Sequence, residues 1–180
     1  LGLIFSEIEH LRNVSEIIVI CPQPTGDSYR GIHTATIGLF PDSTFVIPQY
    51  FSQPVYNYKE LTSIVDKIIR VGFSKIILSG TPPYFEILIG LINKLRGMNN
   101  PSLKILLIYH GSLASNAEDE SIPKFLQRLI QMATDRKIDK LGFIKKGMKE
   151  TFEKLQGIQT NHVRLLVTVY TVTFYNLASR

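Results

Sequence analysis

One cysteine, Cys21, in 180 residues excludes an intrachain disulfide and fits a reducing compartment, the cytoplasm. Long apolar runs are also missing: none approaches the ~20 residues that span a bilayer. The N-terminal run ends at Phe5 with no basic flank, and the stretch Leu165 to Leu177 is broken by Thr168, Thr171, Thr173 and Asn176 and reads as strand. With four scattered histidines and neither H-E-x-x-H nor C-x-x-C, no protein-ligated metal is expected. No G-x-G-x-x-G follows Cys21 and no G-x-x-x-x-G-K-S/T occurs, so the usual dinucleotide and P-loop devices are absent. A G-x-S-x-G nucleophile elbow is lacking too. There is no internal repeat and no low-complexity tract.

What remains is a folded chain. Hydrophobic residues make up 44% and charged residues 19%, enough for one well-filled core, and the length suits a single domain over residues 1–180. Twenty Lys+Arg against fifteen Asp+Glu leave a net charge of +5. That excess suits phosphate-bearing molecules or an anionic lipid surface. The basic residues are dispersed without aromatic interleaving, so no nucleic acid is expected as a partner.

Hydrophobic patterning then alternates along the chain. Ile17 to Cys21 is a short continuous β-branched run stopped by Pro22, as a strand covered on both faces requires, and Ser43 to Ile47 is a second such segment ended by Pro48. From Tyr58 the period changes, with Leu61, Ile64, Val65, Ile68 and Ile69 at helical spacing up to a stop near Gly72. Lys75 to Ser79 is the next strand. Thr81 is positioned to cap a helix with Pro82 and Pro83 in its first turn and a buried body from Phe85 to Leu95, stopped by Gly97 and Asn99-Asn100-Pro101. Leu103 to Tyr109 is a strand, and His110 to Ser121 a polar, acidic loop. A helix follows on Ile122, Phe125, Leu126, Leu129 and Ile130, then a strand from Lys140 to Ile144. A short helix from Gly147 to Leu155 and a last strand from Val163 to Val169 complete the series. Residues 1–14 and 170–180 receive no place in the fold. This alternation implies a Rossmann-like α/β domain: right-handed crossovers, a parallel sheet and helices on both faces.

In such sheets the ligand crevice lies beyond the strand carboxyl ends, near the point where strand order reverses. The loops to inspect are therefore Pro22 to Gly31, Ser79-Gly80-Thr81, His110-Gly111-Ser112 and Lys145-Lys146-Gly147. His110 stands first, because it directly follows an apolar strand and precedes a glycine that allows close approach. A strand-end imidazole bonded to a backbone carbonyl would fit the same position. Gly80 and Thr81 offer backbone N–H groups at a helix start, a seat for a phosphate or sugar hydroxyl, or else ordinary capping. Lys145 and Lys146 could neutralise a phosphate, or form a solvated basic pair. A hydrolase built on His110 lacks a nucleophile: Ser112 is too near in sequence, and Ser79 requires two strand ends to meet.

The segment Ser74 to Leu155, with its strand ending in Ser-Gly, the run Lys104 to Ser112 that turns at His110-Gly111, and Ile138 to Met148, resembles the N-terminal half of GT-B glycosyltransferases of the group 1, family 4 type. The resemblance implies an acceptor-side domain of a two-domain hexosyltransferase of carbohydrate biosynthesis, with His110 as the catalytic-cleft residue near the transferred sugar or acceptor. Gly111 and Ser112 would give close approach, and Lys145, Lys146 and Gly147 would face the cleft at a position where the family often carries a small polar residue. No cofactor is implied, only a nucleotide-sugar co-substrate and a carbohydrate or lipid-linked acceptor, with possible visits to a membrane surface. The donor-binding half does not fit after residue 160, so it would come from a C-terminal domain or a partner chain. The alternative is a non-catalytic Rossmann-like binding or interaction module.

Overall fold

A computed structural model of the protein describes residues 1–53, 56–111, 121–145, 147–150, 154 and 168–171. Its centre is one parallel six-stranded sheet in the order β2-β1-β3-β4-β5-β6, formed by β1 (Ile17–Pro22), β2 (Thr44–Ile47), β3 (Lys75–Ser79), β4 (Lys104–Tyr109), β5 (Lys140–Phe143) and β6 (Thr168–Thr171). The helices are α1 (Gly2–Val14), α2 (Arg30–Leu39), α3 (Tyr58–Arg70), α4 (Phe85–Asn99) and α5 (Ser121–Thr134), and a 3-10 turn spans Gln49–Ser52. The expected Rossmann-like α/β architecture is the observed one.

Strand alternation divides the core in two. Ile18, Ile20, Ile76, Leu78, Ile105 and Leu107 point to the face covered by α1, α3 and α4, where the larger cluster lies. Leu61, Ile64, Val65, Ile68 and Ile69 of α3 are all buried there, each adding roughly 1.5–3 kcal/mol of transfer free energy. Val19, Ile77, Leu106 and Ile108 point to the opposite face, where Phe40 at the end of α2 packs against them. Helices on both faces follow from the right-handed crossover rule, because β1 to β2 runs one way across the sheet and β3 to β4 the other. Strand order therefore reverses between β1 and β3, and α2 starts beside that switch point.

Several boundaries differ from the expected ones. Residues 2–14 form α1, whose Ile8 and Leu11 enter the core. Thr81 does not cap α4: the chain from Pro82 makes its own turn, with the Phe85 N–H donating to the Pro82 carbonyl at 2.9 Å, and the helix begins after Tyr84. Gly97 does not stop α4, which continues to Asn99. Residues 148–150 are helical, whereas most of the expected 147–155 helix and the first part of the expected 163–169 strand lie outside the described residues.

At the amino ends of the strands, Arg96 ties three elements together. Its guanidinium donates to the Leu103 carbonyl, to Asp139 Oδ2, to Asn93 Oδ1 and to the Arg136 carbonyl at 2.8–3.1 Å. Asp139 Oδ2 also accepts the Ile105 N–H at 2.8 Å. This charge-assisted cluster fixes β4, β5 and α4 at the pole opposite the crevice.

Candidate functional site

At the carboxyl pole the register decides which side chains meet. Ser79, the last residue of β3, aligns with Ile108 of β4, so His110 lies two positions beyond on the same face. Ser79 Oγ is 2.8 Å from His110 Nε2. On the other side, Ser79 Oγ is 2.7 Å from Thr36 Oγ1, contributed by the α2 helix that covers this face. Thr36 Oγ1 in turn donates to the Ile32 carbonyl one helical turn back, at 2.6 Å. Thr36 and Ser79 are each only 1% exposed, whereas His110 keeps one edge toward solvent. A buried polar pair of this kind is stable only because each hydroxyl has its partners.

The environment keeps the imidazole neutral. Burial, and then the positive charge of Lys145, push the His110 pKa down to about 4. His110 is therefore uncharged at any ordinary pH. With its ordinary value displaced so far downward, it is a weak proton acceptor and a good neutral hydrogen-bonding group. Nearby in the switch-point strand, burial pushes the Cys21 thiol up to about 12, which makes it inert as a nucleophile.

The other expected site residues are brought together only in part. Gly80 adopts a φ of +97°, and a Cβ there would sit 3.1 Å from Ile32 of α2; its N–H donates to the Ile108 carbonyl at 2.9 Å, tying the β3 turn to β4. Gly111 follows His110 in a position where a Cβ would fall inside the ring and hydroxyl of Tyr109. Lys145 is exposed and close enough to act on His110 electrostatically. Gly147, with a φ of +83°, lets the chain turn after Lys145, and the Met148 N–H closes that turn on the Lys145 carbonyl. Ser112 and Lys146 lie outside the described residues.

Thr81 faces elsewhere. It lines a small apolar cleft between α4 and α5 with Pro82, Phe85, Ile89, Leu129 and Met132, flanked by the Glu86–Arg128 ion pair at 2.9 Å. The cleft holds about 60 Å³, far below the ~300 Å³ of a small-molecule site.

Two findings revise the sequence reading of this pole. The strand ends carrying Ser79 and His110 do meet, which removes the stated objection to a serine–histidine pair. Ser79 is nevertheless no exposed nucleophile, being 1% accessible and bonded on both sides. Thr36 is the residue that patterning missed. Among the described residues, no group of three or more histidine, cysteine or acidic side chains is arranged to hold a metal. No described helix is long and apolar enough to cross a membrane. No family model, curated protein or solved structure matches the chain.

Proposed function

We propose that this domain is the acceptor-side half of a GT-B-type glycosyltransferase, working in the cytoplasm with a donor-binding half supplied by a further domain or a partner chain. The observation that supports it most is His110: a neutral, braced imidazole at the carboxyl end of β4, directly before a glycine, beside the switch point where α/β domains bind ligands. Sugar transfer needs the acceptor hydroxyl held against the anomeric carbon, and needs charge on the departing diphosphate to be met. A pKa of about 4 fits the first task, orientation of a hydroxyl, better than proton abstraction. Lys145 is available to the second, and the net charge of +5 suits an anionic, lipid-linked acceptor at a membrane surface.

The test uses the natural gene product. Its intact mass is measured, and UDP- and GDP-sugar binding and transfer to a mixed panel of sugar and lipid-linked acceptors are assayed with and without His110→Ala. Nucleotide-sugar binding together with transfer that falls at least tenfold in the variant is the expected outcome. A product that binds no nucleotide-sugar, alone or with a co-purified partner, refutes the enzyme and leaves the non-catalytic module.

A further inference from the structure

Exposed aromatic rings are concentrated at one place. Tyr56 is 83% exposed and Tyr50 and Tyr58 are half-exposed, whereas every other phenylalanine and tyrosine whose exposure is described is buried or partly covered. The three stand in the turn between β2 and α3, at the carboxyl pole of the sheet. Single exposed apolar side chains are ordinary, but a group of them marks a surface that meets something. The described backbone of the turn is fixed in advance. Phe51, fully buried, anchors it from below, and the Tyr50 ring leans on Phe51 with centroids 4.1 Å apart. Asn57 Nδ2 donates to the Tyr50 carbonyl at 2.8 Å, which draws the segment carrying Tyr56 and Tyr58 against Tyr50, and the Tyr56 N–H donates to the Gln53 carbonyl at 3.1 Å. Gln23 Oε1 accepts the Gln49 N–H at 2.8 Å, so the turn is also tied to the loop that follows β1 at the switch point. Tyrosines carried on a braced turn bind at a low cost in ordering.

The neighbouring side chains name the ligand. Exposed Gln49, Ser52 and Gln53 supply amide and hydroxyl groups, and the exposed charges at the start of α3, Lys59 and Glu60, are one of each sign. A phosphate chain or an anionic lipid surface meets no positive field there. A sugar ring fits both halves of this chemistry: its C–H face is apolar and packs flat on an aromatic ring, while the hydroxyls at its edge need groups that donate and accept. Burial, and then the charge of Glu60, push the Tyr50 phenol up, so it remains a neutral donor beside that carboxylate. We propose that this turn is a glycan-binding platform, on which Tyr50, Tyr56 and Tyr58 pack against the rings of a neutral oligosaccharide and Gln53 and Glu60 receive its hydroxyls. Through the Gln49–Gln23 bond the platform adjoins the crevice. On the reading that the crevice takes a sugar acceptor, the platform holds those units of a long acceptor that do not react.

The chain has eight tyrosines and no tryptophan, so its near-ultraviolet fluorescence is tyrosine emission. In the experiment the protein is titrated with maltohexaose, cellohexaose, xylohexaose and the hexamer of N-acetylglucosamine. At least one of these should change the emission to saturation. Tyr56→Ala should bind it roughly tenfold more weakly, whereas Tyr56→Phe, which keeps the ring face and loses the hydroxyl, should stay within about threefold of the parent. The Tyr56 ring lies outside the core, so both variants should fold as the parent does, which circular dichroism checks. No saturable change with any of the oligosaccharides overturns the proposal, and so does binding that survives the double variant Tyr56→Ala/Tyr58→Ala. Sedimentation with phosphatidylcholine–phosphatidylglycerol vesicles that depends on Tyr56, with no oligosaccharide bound, makes the surface a membrane contact and overturns it too. In the natural gene product the double variant should raise KM for oligosaccharide acceptors and leave KM for a single-sugar acceptor unchanged. If an oligosaccharide binds while no nucleotide-sugar does, the glycosyltransferase reading fails and the platform stands; transfer with an unchanged KM for long acceptors keeps that reading and overturns the platform's part in it.

Discussion

Lowering the pH should destabilise the fold through one side chain. His110 in the unfolded chain takes up a proton near its ordinary value of 6.5, whereas in the fold burial and Lys145 hold off protonation until about 4. Between those values the unfolded state binds more protons than the folded one, so the contribution of the neutral imidazole is complete above the unfolded value and drains away as pH falls toward the folded one. The linkage integral gives a loss of about 2 kcal/mol on going from about pH 7 to about pH 5. Water at the exposed edge of the ring screens part of that, so about 2 kcal/mol is the ceiling. Urea unfolding at the two pH values, run in parallel on the parent and on His110→Gln, isolates this group, because every carboxylate and every other histidine contributes equally to both. The parent should lose between about 1 and 2 kcal/mol more than the variant. Equal losses would mean that the folded imidazole titrates like a free one, and the neutral, braced site described above would be wrong.

Two further expectations concern stability. Gly111→Ala pushes a methyl group into Tyr109, itself 5% exposed and packed edge-on against Phe143, so overpacking should cost roughly 1–3 kcal/mol, read as a lower thermal midpoint. Arg96→Ala removes four hydrogen bonds and leaves the partly buried Asp139 without its counter-charge. A loss of roughly 3 kcal/mol in denaturant unfolding is expected, and a change below about 0.5 kcal/mol would show that water replaces the guanidinium without penalty.

The strands and the strongly periodic helix were legible because their signals are local. Short continuous apolar runs such as Ile17 to Ile20 and Ile76 to Leu78, bounded by polar or breaker residues, fit strands covered on both faces, and Leu61 to Ile69 follow helical spacing. The helix α2 was not legible: its residues Gly31, Thr34, Thr36 and Gly38 have poor helical propensity, and Thr36 is its one buried residue. Its helical state is imposed by its seat on β1 and β2. His110 stood out from its place after an apolar strand, but its partners did not, because the Ser79 contact depends on which strands are neighbours and in what register. Thr81 departs from expectation for a local reason: a Thr-Pro-Pro sequence fits a helix cap, while the prolines build a separate turn here.

The separation of the Arg96–Asp139 cluster from the His110 corner has an evolutionary consequence. One pole of the sheet is fastened by charge-assisted bonds that reach across β4, β5 and α4; the other carries turns joined to the scaffold at a few points, among them the Gly80–Ile108 and Thr36–Ser79 links. Substitutions in the crevice turns leave those charge-assisted bonds untouched, although close contacts such as Gly111 against Tyr109 carry a stability cost of their own. A lineage can therefore accumulate substitutions at the rim without touching the bonds at the opposite end, and the stability effects of changes at the two poles should add.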